Sequence, residues 1–177
     1  ARLARPSRAL PYQLHVEETL SPSQQLLTLN LYNTGAQGVV FHVYDRLDLN
    51  QIPRRYTVEA GKALSDNWSV TNQYHLWLLG PNGFHRELRG AIGQPQPQVR
   101  LTPQGDHLSL TLTNPTHQAI TVTIARCPYT QNGPWSIELP AGERHQQAFD
   151  ARASGGWYDI SLQASDGWQR RMAGRLE

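Results

Sequence analysis

Seven histidines, one cysteine and 14 acidic residues are the side chains of this 177-residue sequence with reach into metal, nucleophilic or acid–base chemistry. No histidine stands in a zinc pattern such as H-E-x-x-H or in a pair at helical spacing. His42, His75 and His85 fall on one face if their segments alternate as strands, which is compatible with a metal site, although scattered surface histidines are commoner. Asp45-Arg46-Leu47-Asp48-Leu49-Asn50 holds oxygen ligands but lacks the turn glycine and closing glutamate of a calcium loop, so it reads as a turn. Ser65-Asp66-Asn67 has no Ser-x-x-Lys partner, and neither a G-x-S-x-G elbow nor a glycine-rich phosphate cradle occurs. Cys127 is alone, which excludes an internal disulfide and a thiolate cluster; with no neighbouring His to lower its pKa it reads as a small buried strand residue. The acids are spread over loops. These residues lead to the expectation of a non-catalytic chain with no metal and no cofactor.

Charge and hydropathy narrow the partners. Arg2, Arg5 and Arg8 take three of the 16 cations, leaving 13 against 14 acids in residues 12–177, so the net charge of +2 belongs to a short lead and no nucleic-acid footprint is expected. No apolar run approaches the roughly 20 residues of a membrane-spanning helix. The chain opens with Ala1 and no leader pattern follows, so it reads as a piece of a larger protein.

The elements that position these residues come in two copies. Leu29-Asn30-Leu31-Tyr32-Asn33 aligns with Leu110-Thr111-Leu112-Thr113-Asn114, 81 residues later, and the same offset carries Ala60-Gly61 onto Ala141-Gly142 and Trp68 onto Phe149. The offset then becomes 84, matching Tyr74 with Tyr158, Arg86 with Arg170 and Gly90 with Gly174. Four segments follow: a lead over 1–11, a first repeat over 12–92, a Pro/Gln connector over 93–97 and a second repeat over 98–177.

Within each copy short runs alternate with period two. Strands are expected near 12–18, 25–33, 38–45, 54–59, 65–70, 73–80 and 84–91, and again near 98–102, 106–114, 118–126, 134–139, 144–149, 156–164 and 168–175. About seven strands per 80 residues implies an all-β fold of two tandem immunoglobulin-like antiparallel sandwiches related by internal duplication. The last hairpin of each copy fixes the faces. A two-residue turn at Asn82-Gly83 would set Leu76 opposite Arg89, whereas a three-residue loop, type I with Gly83 at the bulge position, sets Leu76 opposite Leu88 and Ile160 opposite Met172. The second register keeps apolar residues together and is the one expected. Arg86 and Arg170 then share the inner face, their stems packed and their heads reaching the rim.

The outer faces differ. The second copy shows Asp159, Ser161 and Gln163; the first shows His75, Trp77 and Leu79 beside Val40, His42 and Tyr44, an apolar patch expected to be covered or to bind. These six residues are the candidate interaction surface. The second copy or the N-terminal segment, a missing domain, or lipid are the possible covers.

The run Tyr74-His75-Leu76-Trp77-Leu78-Leu79-Gly80-Pro81-Asn82-Gly83-Phe84-His85-Arg86, preceded by Tyr56-Thr57-Val58-Glu59-Ala60-Gly61, resembles the C-terminal domain of bacterial phospholipase C, in the haemolytic and non-haemolytic phosphocholine-type family. That family carries the domain twice. The resemblance implies a secreted phospholipid phosphodiesterase whose catalytic half lies upstream, so no catalytic residue is carried over to this chain. It implies a non-catalytic accessory region with the upstream catalytic domain, and a phospholipid surface, as partners; a secreted carbohydrate- or protein-binding module is the alternative.

Overall fold

The computed structural model describes residues 14–126, 134–164 and 167–176. The lead over 1–11 and Cys127, on which the sequence raises expectations, lie outside the described residues. In chain order the strands are β1 Leu14–Ser21, β2 Leu26–Asn33, β3 Val39–Asp45, β4 Arg54–Val58, β5 Lys62–Ser69, β6 Gln73–Leu79 and β7 His85–Ala91, then β8 Gln98–Gln104, β9 His107–Thr113, β10 Ile120–Arg126, β11 Trp135–Leu139, β12 Arg144–Asp150, β13 Trp157–Ala164 and β14 Gln169–Arg175. A 3₁₀ turn, Arg152–Ser154, leads from β12 towards β13. The fold is all-β, two immunoglobulin-like sandwiches in tandem. Each expected strand is present, with β1 shifted by two and three residues at its ends and β5 by three and one.

Alternation builds each sandwich. In β2, Leu27, Leu29 and Leu31 are buried while Thr28, Asn30 and Tyr32 point away, and β9 repeats this with Leu108, Leu110 and Leu112. The sheet β1-β2-β5 covers Phe41, Val43, Leu76, Leu78 and Leu88; β8-β9-β12 covers Val122, Ile124, Ile160, Leu162 and Met172. A buried amide closes one end of each core. Asn33 Nδ2 donates to Gln37 O (2.6 Å) and Val58 O (3.1 Å), and Asn114 Nδ2 donates to Gln118 O (2.6 Å) and Leu139 O (3.0 Å). The same side chain thus satisfies equivalent buried carbonyls in both copies.

The last hairpin of each copy has the expected register, Leu76 opposite Leu88 and Ile160 opposite Met172, but in the first copy the turn is not the expected type I. Asn82 (φ 58°) and Gly83 (φ 75°) are both left-handed, and Phe84 N–H donates to Pro81 O (3.1 Å), which is a type I′ turn. Pro81 has no N–H to return. Gly80 N–H takes that place on Phe84 O (2.9 Å), so the extra residue is a bulge at Gly80-Pro81.

The repeats share a sheet. Strand β7 pairs antiparallel with β14, giving the eight-stranded order β11-β10-β13-β14-β7-β6-β3-β4. Glu87 lies opposite Arg171, residues equivalent under the offset of 84, so the local two-fold axis relating the repeats passes between them. Arg86 and Arg170 are equivalent about that axis, and their heads do not reach the rim. Both are buried and cross into the other repeat: Arg86 Nη2 donates to Tyr158 Oη (3.0 Å) and Arg170 Nη2 to Tyr74 Oη (2.7 Å). The rim expectation failed because it took each sandwich as separate, and the shared sheet turns a rim into an interior. Arg170 also donates from Nε to Glu18 Oε1 (2.8 Å). Burial opposes its charge, but the Glu18 carboxylate and Tyr74 outweigh burial and raise its pKa. Strands β6 and β13 place these tyrosines opposite Gly90 and Gly174, and a Cβ on either glycine would come within 2.5 Å and 2.7 Å of the respective hydroxyl. The glycines make room for the tyrosine rings.

Candidate functional site

Strands β3 and β6 carry Val40, His42, Tyr44, His75, Trp77 and Leu79 on the outer face of the shared sheet, with Tyr44 opposite Trp77 and His42 opposite Leu79. The second repeat extends this sheet sideways through β14 and does not lie over it. Val40 is exposed, whereas the other five are half-buried. The patch is therefore less apolar than the sequence implies, because polar neighbours close over its centre. The Arg46 guanidinium lies 3.7 Å from the centroid of the Trp77 ring, and His85 meets the ring edge-on at 5.8 Å.

Glu87 on β7 is the hub. Its Oε2 accepts from Trp77 Nε1 (3.0 Å) and lies 2.7 Å from His75 Nε2. Burial alone would raise the Glu87 carboxyl, but the hydrogen bonds from His75 and Trp77 outweigh it and hold the group below the usual carboxylate range. His85 is pushed down, first by burial and then by the Arg171 charge, and its Nε2 is buried without a hydrogen-bond partner. Among the described residues no three His, Cys, Asp or Glu side chains form a group that could hold a metal ion, so His42, His75 and His85 share a face without converging. An ionised Glu87 with donors already on it is a structural acceptor for the aromatic row. The arrangement fits recognition, with Trp77, Tyr44 and Leu79 partly open to a partner.

Two features escaped the sequence reading. Arg46 had a signal, since it follows Tyr44 by two residues and so continues the outer face of β3 beyond the end of the strand. The other is a cleft of about 610 Å³ where β1 and β8 approach, lined by Leu14, His15, Tyr32, Arg100, Thr102 and Pro103 among others. Arg100 Nη2 bridges it to Glu17 Oε1 (2.5 Å), which also lies 3.0 Å from His15 Nε2, while the His15 and Tyr32 rings lie 5.6 Å apart at a tilt of 32°. Burial would raise the Glu17 carboxyl, yet the hydrogen bonds of His15 and Arg100 bring it below its ordinary value. Which strands of the two copies would face each other is not written in period-two alternation, so this cleft had no sequence signal.

The two sandwiches coincide with two matches to one sequence family. The family described as bacterial phospholipase C, C-terminal domain, matches residues 6–91 and again 95–175. The chain belongs to this family. Similar proteins are the non-hemolytic phospholipase C of Pseudomonas aeruginosa (37% identical), that of Burkholderia pseudomallei (36%) and the hemolytic phospholipase C of Pseudomonas aeruginosa (34%), each over 98% of this chain. The chain spans 27%, 26% and 28% of their respective lengths, so the similarity of this phospholipase C C-terminal region is to about a quarter of each relative. Among the described residues no helix is long and apolar enough to cross a membrane.

Proposed function

We propose that this region is a non-catalytic accessory part of a secreted bacterial phospholipase C, a hydrolase of phospholipid phosphodiester bonds, and that it supports the upstream catalytic domain and its engagement of phospholipid aggregates. The repeats over 12–92 and 98–177, with the connector 93–97 between them, are its two units. The observation that carries the reading is the asymmetry of the shared outer face. Where the second repeat presents Asp159, Ser161 and Gln163, the first presents His75, Trp77 and Leu79 beside Val40, His42 and Tyr44. Duplicated strands that keep their inner faces apolar and differ in their outer ones support a partner for one face only.

The 177-residue chain, purified alone, is expected to leave p-nitrophenylphosphorylcholine intact, and clear turnover by homogeneous material would overturn the non-catalytic reading. Vesicle flotation run beside a glycan array separates the partner classes. Retention by lipid without sugar binding supports this reading, whereas glycan binding alone favours a carbohydrate-binding module.

A further inference from the structure

The connection between β3 and β4 carries an anomaly. Leu47 is 55% exposed, Leu49 66% and Ile52 89%, three large aliphatic side chains within six residues, and none joins the core of the first repeat. Their exposure is held by the backbone. Leu47 N–H donates to Asp45 Oδ1 (3.0 Å), Asp48 N–H to Asp45 O (3.2 Å) and Gln51 N–H to Asp48 O (3.2 Å), so successive turns project the loop away from the sandwich. At its root, Arg46 N–H donates to His75 O (2.8 Å) while its guanidinium rests on Trp77, and Arg54 Nη1 binds Asp66 Oδ2 (2.9 Å) with its guanidinium 3.8 Å from the Trp68 ring. The corresponding stretch of the second repeat, Cys127-Pro128-Tyr129-Thr130-Gln131-Asn132-Gly133, contains no Leu or Ile. The aliphatic tip is a property of the first repeat, at the end of the strand that also bears the candidate outer face.

The chemistry of the tip selects its partner. Protein hot spots rest on Trp, Tyr and Arg seated in shaped pockets. A convex loop of Leu, Leu and Ile separated by Asp48, Asn50 and Gln51 offers no such anchor, but suits a fluid apolar phase that needs no complementary shape. Across residues 45–55 three arginines face two aspartates, a surplus of one charge, which suits a zwitterionic headgroup layer and not a strongly anionic one. With the tip in the acyl boundary, the anchored Arg46 and Arg54 heads stand at the root of the loop, where phosphates would lie, as in interfacial segments that bury apolar residues to about 5–10 Å.

Resting on the accessory reading above, we propose that Leu47, Leu49 and Ile52 form an interfacial insertion loop that anchors the first repeat in a neutral phospholipid surface. Each aliphatic side chain withdrawn from hydrocarbon lowers partitioning by about tenfold.

The test is co-sedimentation of the 177-residue chain with phosphatidylcholine vesicles. It compares the wild type with the triple variant Leu47→Ser, Leu49→Ser, Ile52→Ser and with Trp157→Ser, which removes an exposed aromatic from the other repeat. Because the three loop residues lie outside the core, the triple variant is expected to keep the wild-type thermal midpoint. Its vesicle affinity is expected to fall by ~100-fold or more while Trp157→Ser stays near wild type. Wild-type affinity in the triple variant overturns the loop and leaves the accessory reading standing, with the lipid contact elsewhere. No binding by the wild type overturns both. Binding confined to anionic vesicles overturns the neutral-surface assignment. If the triple variant binds vesicles normally yet loosens the catalytic portion of the full-length enzyme, the loop is a protein contact and the proposal fails.

Discussion

Replacing Glu18 by Leu isolates what holds the two repeats together. Glu18 and Arg170 form a buried bridge, with side chains 12% and 5% exposed, and the bridge joins β1 of the first repeat to β14 of the second. The molecule contains its own reference for the change. Under the duplication Glu18 corresponds to Leu101, since Glu18 pairs with Leu29 and Leu101 with Leu110, so Arg86 manages without an equivalent carboxylate. Arg86 instead donates to His85 O, Ala173 O and Tyr158 Oη and lies 4.1 Å from the Phe84 ring centroid. Breaking a buried pair by removing one partner costs about 3–5 kcal/mol. Arg170 would keep Tyr74 Oη, Arg89 O and Gln169 O as acceptors, as Arg86 keeps its own, which places Glu18→Leu at the low end, about 3 kcal/mol. For a chain of this size that is a drop of roughly 6–12 °C in Tm. Urea unfolding followed by tryptophan fluorescence should show one transition, moved to lower urea with an unchanged slope, because β7–β14 pairing couples the repeats. The double variant Glu18→Leu, Arg170→Met removes the stranded charge and should recover most of the loss. A single variant within ~1 kcal/mol of wild type, or a double variant no better than the single, would refute the idea that a paired buried charge joins the repeats.

Other expectations follow from the same geometry. Gly90→Ala drives a Cβ into the Tyr74 hydroxyl and displaces it from Arg170, so a loss of about 1–3 kcal/mol is expected in chemical denaturation; no change would mean that the tyrosine position is not set by the glycine. Trp77→Ala should lower stability by about 1–2 kcal/mol, less than the ~3–5 of a core aromatic, because the ring is half-buried under Arg46; a larger loss would place Trp77 in the core. At alkaline pH, burial and then the hydrogen bond to Asp66 push Tyr56 up to about 12. A folded pKa above the unfolded value near 10 means the contribution is complete below pH ~10 and is lost as pH rises towards about 12. Stability measured across that window should fall, and Tyr56→Phe should flatten the fall; an equally steep decline in the variant would show that Tyr56 has no part in it.

Strand positions and faces were legible because each strand is half-buried, and alternation writes its faces directly into the sequence. Leu27, Leu29 and Leu31 could point only one way. Register in the last hairpin was legible for the same reason, whereas its turn type was not: that depended on Pro81 lacking an N–H and Gly80 replacing it. The β7–β14 pairing was harder to see, since every strand offers an edge and apolar pattern does not say which edge is filled. A signal was nevertheless present in Arg86 and Arg170, two equivalent cations on otherwise apolar faces, which become sensible only when each meets the tyrosine of the other copy. At the candidate surface the six residues share one face with Glu87 opposite Trp77, as alternation implies, whereas Arg46, which lies over Trp77 from beyond the end of β3, does not follow from the strand pattern.

The two-fold axis has a further consequence. It passes between Glu87 and Arg171 in the shared sheet and between Glu17 and Arg100 across the cleft, two pairs of equivalent positions that have taken opposite charges. A symmetric association of two identical first repeats would set Glu against Glu at both places, and two identical second repeats would set Arg against Arg. Only unlike repeats satisfy the axis. Covalent duplication has thus made a contact that discriminates against its own symmetric versions, so that each half finds the partner on its own chain before that of a neighbour.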